Sequence, residues 1–129
     1  MILLLDAHAL LWWLADDPTL DRKAFSAIQD PANDVYVSAA TVWEIAIKAA
    51  IGRLTFPLDQ FDDVMQRMGF ETLPILPAHA IVAGSLPRHH ADPFDRVLIA
   101  QAMVENLVLV TSDSVMRRYD ARVLGSAGA

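Results

Sequence analysis

Two short apolar runs, Met1–Leu5 and Leu107–Val110, constrain the fold of this chain more than any other feature. Neither alternates with polar residues, and both are too short to be helices. Such runs mark strands buried on both faces in the middle of a parallel sheet. Each also leads straight into an acid. Asp6 follows the first run directly, and the second continues through Thr111-Ser112 to Asp113. In an open α/β sheet, ligands bind outside the carboxyl ends of the strands.

Helical patterns fill the space between these runs. Ala7 to Ala15 reads as a helix stopped by Asp16-Asp17-Pro18, and Asp21 caps a second over Arg22 to Gln29. Val35-Tyr36-Val37 is a strand after the turn-forming Asn33-Asp34. A helix then runs from a cap at Ser38 or Thr41 to about Ile51, with Gly52 as its stop. Leu58 to Met68 is amphipathic, Glu71 to Ile75 is a strand, and Pro77 to Leu86 is a short helix. Asp92 as cap and Pro93 at the first helical position open the clearest helix, which reaches Glu105. A short helix at Ser114 to Tyr119 and an edge strand at Arg122-Val123-Leu124 close the chain. Alternating strands and helices predict an α/β domain of three layers, α/β/α, around a mostly parallel sheet of four or five strands. One domain is expected over residues 1–124, with 125–129 a frayed tail.

The chain has 129 residues, 54% of them hydrophobic, which suits one domain with a real core and argues against disorder. The apolar excess points to surface buried against a second copy or another chain. Asp6, His8, Glu44 and Lys48 interrupt every apolar stretch that could span a bilayer, and no basic segment precedes the opening run as in a signal peptide. A cytoplasmic protein without membrane contact is expected. There are no cysteines, so any metal is held by oxygen or imidazole. A net charge of −6 disfavours broad neutralisation of nucleic-acid phosphate but leaves room for a nuclease, because a bound cation inverts the charge at its own site.

Five carboxylates stand where apolar runs meet turns or helix starts: Asp6, Glu44, Asp92, Asp95 and Asp113. Gathered at one sheet edge they repel one another unless something cationic lies between, and hard divalent cations choose oxygen ligands. Asp6, Asp92 and Asp113 each have an alternative role as helix caps. Glu44 is read in the first turn of its helix, where the dipole favours an acid. Asp95 is not needed as a cap, and the neighbouring Arg96 is available to a carboxylate or a phosphate. Arg88, Arg117 and Arg118 are further phosphate candidates. No two histidines have the spacing of a helical zinc pair; His8, His89 and His90 are read as loop residues at a cleft rim and His79 as isolated. Trp12, Trp13 and Trp43 are read as core or interface, with Trp12 the one most suited to exposure.

Four segments in order carry a family resemblance: Ile2-Leu3-Leu4-Leu5-Asp6-Ala7-His8, Ser38-Ala39-Ala40-Thr41-Val42-Trp43-Glu44-Ile45, His90-Ala91-Asp92-Pro93-Phe94-Asp95-Arg96-Val97-Leu98-Ile99-Ala100-Gln101-Ala102 and Leu109-Val110-Thr111-Ser112-Asp113. Across essentially its whole length the chain resembles PIN-domain proteins, specifically the VapC-type toxins of type II toxin–antitoxin systems. That resemblance implies a PIN-like fold and an endoribonuclease dependent on Mg²⁺ or Mn²⁺, which leaves 5′-phosphate and 3′-hydroxyl ends. It also implies a homodimer, held inactive by a cognate antitoxin. By the same resemblance Asp6, Glu44, Asp95 and Asp113 are the catalytic and metal-binding acids. Asp92 sits close by, and Thr111 or Ser112 orients a carboxylate or a water. The alternative is a PIN-like module that binds protein or RNA without cutting. A phosphate-accepting receiver domain fits less well: by resemblance it needs paired acids after its first strand and a Lys near the end of its last, whereas here only Asp6 follows the first strand and the lysines are Lys23 and Lys48.

Overall fold

The computed structural model describes residues 1–125. Five strands form one sheet in which every pairing is parallel: β1 (Ile2–Leu5), β2 (Asp34–Ser38), β3 (Glu71–Leu73), β4 (Val108–Val110) and β5 (Arg122–Leu124). Their order across the sheet is β3-β2-β1-β4-β5. The apolar run Met1–Leu5 therefore supplies the central strand, with Leu5 level with Val37 on one side and Val110 on the other. Leu3, Leu4 and Leu5 are fully buried, as a strand covered on both faces requires.

Successive side chains of β1 feed opposite faces. Leu3 and Leu5 pack with Leu10 of α1 (Ala7–Leu14), Ala24 and Ile28 of α2 (Arg22–Gln29), and Phe61 and Met65 of α4 (Phe61–Met68). Leu4 faces the other way, onto Leu98, Ile99 and Ala102 of α6 (Pro93–Val104), beside α5 (Pro77–Ser85). Helix α3 (Ala39–Ala50) contributes to both cores, Ile45 to the first and Ala40 to the second. The result is the expected three-layer sandwich. Among the described residues no helix is long and apolar enough to cross a membrane.

Local differences from the sequence reading have simple causes. Strand β3 stops at Leu73 rather than Ile75, since Pro74 has no N–H for the ladder. Leu58–Gln60 and Ser114–Arg118 are 3₁₀ turns rather than α-helix. Ser38, not Thr41, caps α3, accepting from the Ala40 N–H, so Glu44 lies beyond the first turn and the dipole argument does not apply to it. Trp43, not Trp12, is the exposed tryptophan, with 61% of its surface accessible.

His79, read as isolated, is in fact fully buried and pins α5 to α6. Its Nδ1 accepts the Leu76 N–H at 2.9 Å, and Nε2 lies 2.9 Å from Glu105. Gly125, placed in the tail by sequence, adopts φ +129° above the Thr111 carbonyl, where a Cβ would lie 2.5 Å from the oxygen. The remainder of that expected tail, 126–129, lies outside the described residues.

Candidate active site

The strand order reverses at β1: from there the chain adds β2 and β3 to one side, and β4 and β5 to the other. Such a switch point leaves a crevice at the carboxyl ends of the strands. Asp6 follows β1 and Asp113 follows β4, its nearest neighbour on one side, so topology alone brings two acids together. Helices α3 and α6, packed on each other, add Glu44, Asp92 and Asp95. All five acids line one cavity of about 320 Å³, with His8, Lys48 and Ser112.

Capping and site-building turn out not to be alternatives. Asp6 accepts the Ala9 N–H at 2.8 Å and starts α1. Asp92 accepts the N–H groups of Phe94 and Asp95 through one oxygen and starts α6. Asp113 accepts from Val115 at 2.9 Å and starts the 3₁₀ turn. A cap uses one carboxylate oxygen, and each of these residues carries two. Glu44 differs: it is held from its own helix by Lys48, whose Nζ is 2.7 Å from Oε2.

The environment disfavours negative charge where two of the acids lie. Burial pushes the Asp95 carboxyl from 3.8 up to about 7, helped by the charge of Asp92 and opposed by His90. Burial also raises the Asp6 carboxyl, against the lowering effects of the Thr111 side chain and the Ala9 N–H. Burial is the main cause at both positions, with like charges nearby adding to it. The oxygen-rich donor set is therefore compatible with a divalent cation, and the raised carboxyls are an observation of this structure that such an ion would relieve.

Several neighbours were not legible as site residues. His90, read as a rim residue, places Nε2 2.9 Å from both Asp95 and Asp113, and these three groups offer ligand atoms within 4.8 Å of one another. Only its position two residues before Asp92 hints at this. Lys48 enters the cavity through the Glu44-x-x-x-Lys48 spacing, which places both on one helix face. Thr111 differs from these two in having been expected beside the acids; it is buried, and its hydroxyl accepts the Asp113 N–H at 3.0 Å.

The arginines fare differently. Arg96 donates to the carbonyls of Ala83, Leu86, Pro87 and His90, so its guanidinium is committed to backbone and turned from phosphate. Arg117 donates to the Gly125 carbonyl. Neither Arg88, Arg96, Arg117 nor Arg118 lines the acidic cavity.

Comparison with known proteins gives a consistent picture. The family model described as PIN domain matches residues 3–122. The chain is 31% identical over 118 residues to ribonuclease VapC22 of Mycobacterium tuberculosis, covering 90% of each protein. Among solved structures, VapBC2 from Rickettsia felis bound to a promoter DNA fragment superposes with a TM-score of 0.70 at 15% identity, over 96% of this chain and 98% of that one. FitAcB from Neisseria gonorrhoeae gives a TM-score of 0.66 at 20% identity, over 96% of each chain.

Proposed function

This chain belongs to the PIN-domain family, and from that premise we propose that it is a divalent-cation-dependent endoribonuclease, the toxin of a toxin–antitoxin pair. One observation carries the reading: Asp6, Glu44, Asp92, Asp95 and Asp113 line a single cavity at the switch point of the sheet. The relative of known activity is a ribonuclease, and the structural neighbours include toxin–antitoxin assemblies. On this reading residues 1–124 form the PIN domain. The protein acts in the cytoplasm as a homodimer, and a cognate antitoxin silences it.

Asp6 and Asp95 would hold Mg²⁺ or Mn²⁺, with Glu44 and Asp113 completing the shell directly or through water. Two or three carboxylates suffice for an ion that keeps much of its hydration. When bound, the ion supplies an acidified water and positive charge for the phosphoryl oxygens. The protein does the rest. Asp95 would have to be ionised to hold the ion, because a ligand must be deprotonated. Glu44, tied to Lys48, keeps one oxygen for the cleft, and the Lys48 ammonium stands at the rim where substrate phosphate approaches. Ser112 and Thr111 orient donors around Asp6 and Asp113.

Water, and not the ribose 2′-hydroxyl, is the nucleophile in this scheme. End-labelled single-stranded RNA cut by the purified chain is expected to yield fragments with 5′-phosphate and 3′-hydroxyl ends, ligatable without enzymatic repair. Fragments with 2′,3′-cyclic phosphate ends would contradict the mechanism. Absence of cutting across a broad RNA pool, with metal binding intact, would favour the silent binding module.

A further inference from the structure

We propose that His90 is a positioning residue that holds Asp113 beside Asp95 through its Nε2–H without being a metal ligand itself. The inference rests on the reading of these acids as the cation site and adds a residue that the reading does not contain.

The loop that carries His90 is strapped at both of its backbone groups. Its N–H donates to the Tyr119 hydroxyl at 2.7 Å, and its carbonyl accepts from Arg96 at 3.1 Å. The same two side chains also grip Pro87: Tyr119 donates to its carbonyl at 2.8 Å and Arg96 at 3.1 Å. Arg96 further ties this loop to the end of α5 through the carbonyls of Ala83 and Leu86. Tyr119 is itself buried. Six hydrogen bonds with two side chains hold the seven-residue connection 86–92 and the end of α5, and what they fix is the place of one imidazole.

The hydrogen-bond network also assigns the tautomer. Nδ1 accepts the Asp92 N–H at 3.3 Å, so in the neutral ring the proton sits on Nε2. A protonated nitrogen cannot bind a metal, but it can donate: Nε2 donates to Asp113 at 2.9 Å and lies 2.9 Å from an oxygen of Asp95. A donor placed between two carboxylates offsets the repulsion between them. Two oxygens that share an octahedral Mg²⁺ lie about 3 Å apart when adjacent and about 4 Å apart when opposite, from its bond length of about 2.1 Å. With His90 in place the oxygens already lie within 4.8 Å of each other. Groups of this kind behind metal ligands typically account for about 10–100-fold in metal affinity.

The test compares wild type with His90→Ala, His90→Gln and His90→Asn by titration calorimetry with Mg²⁺ and with Mn²⁺, in the absence of RNA, after thermal melts have shown each variant folded. His90→Ala is expected to bind either ion about 10–100-fold more weakly. His90→Gln is expected to recover most of the loss, because its amide nitrogen reaches the place of Nε2 and offers two N–H groups. His90→Asn, too short to reach, is not. In ¹⁵N-resolved spectra the Nε2 proton stays in place when Mg²⁺ is added.

Unchanged or tighter ion binding in His90→Ala would overturn the proposal, as would loss of the Nε2 proton on metal binding. Cleavage assays separate this inference from the one beneath it. If His90→Ala binds ions normally and cuts RNA normally, His90 falls and the ribonuclease stands. If wild type binds ions in a His90-dependent way and cuts no RNA, the reverse holds. A wild-type chain that binds no divalent ion overturns both.

Discussion

Asp95→Asn is expected to reduce RNA cleavage by about a thousandfold or more while making the metal-free protein more stable at pH 8. The first effect follows from losing a charged ligand. Charge stabilisation by a catalytic metal is worth several kcal/mol, and each 1.36 kcal/mol corresponds to about a factor of ten. The second effect is a matter of which local force wins. Asp95 lies in the first turn of α6, where the helix dipole favours an anion by roughly 0.3–1 kcal/mol. Burial and the charge of Asp92 act against it, and the outcome, a carboxyl pushed up to about 7, shows that the unfavourable side prevails. Removing the charge should therefore raise the melting temperature by about 5 °C at pH 8 and leave it nearly unchanged near pH 4, where the acid is protonated when folded. Asn rather than Ala is the informative replacement, because it keeps the shape and removes only the charge. Melting curves at the two pH values check the stability effect, and a destabilised variant at pH 8 would contradict it.

The affinity for divalent ions is expected to weaken about tenfold between pH 8 and pH 6. An ion can bind only after Asp95 has lost its proton, so below about 7 each pH unit costs up to a factor of ten. Asp6, also raised by burial, shifts in the same direction. The stability of the metal-free protein runs the opposite way. An acid whose carboxyl is raised on folding contributes no penalty below its unfolded value of 3.8, and the full penalty above its folded value of about 7. Stability from this group thus falls as pH rises between those limits, and Mg²⁺ restores it at pH 8 by binding the folded state. Calorimetric titrations at several pH values check the affinity, and protons released on binding are counted by repeating them in buffers of different ionisation enthalpy. A pH-independent affinity would mean that Asp95 is not among the ligands.

Much of this fold was legible because two signals agreed wherever they overlapped. The apolar runs Met1–Leu5 and Leu107–Val110 defined the central strand and its neighbour, and the caps at Asp21 and Asp92 fixed helix starts that the structure keeps. Boundaries failed where local chemistry offered two equal choices, as with Ser38 and Thr41 ahead of α3. The strand order was not legible at all, although it decides which acids meet.

Within the site, acids at the ends of buried runs stood out because an apolar context makes a charge conspicuous. His90 did not, since its role depends on Tyr119, far along the chain, and on a loop whose path no local pattern encodes. Arg96 misled for the opposite reason. Beside Asp95 it looked like a phosphate or carboxylate partner, and only the fold shows it spent on four carbonyls. The choice of Trp12 over Trp43 for exposure failed because sequence could not assign their apolar neighbours to a buried or an open helix face.

The most direct test of the central claim is cleavage of total RNA by the purified, partner-free chain with Mg²⁺, with EDTA, and with Asp6→Asn. Asn caps a helix as well as Asp does, so the variant should keep α1 intact while removing a ligand from the end of β1. The account predicts discrete cutting by wild type with Mg²⁺, none with EDTA, and none by folded Asp6→Asn. Cutting that survives EDTA or the loss of the Asp6 charge would contradict it.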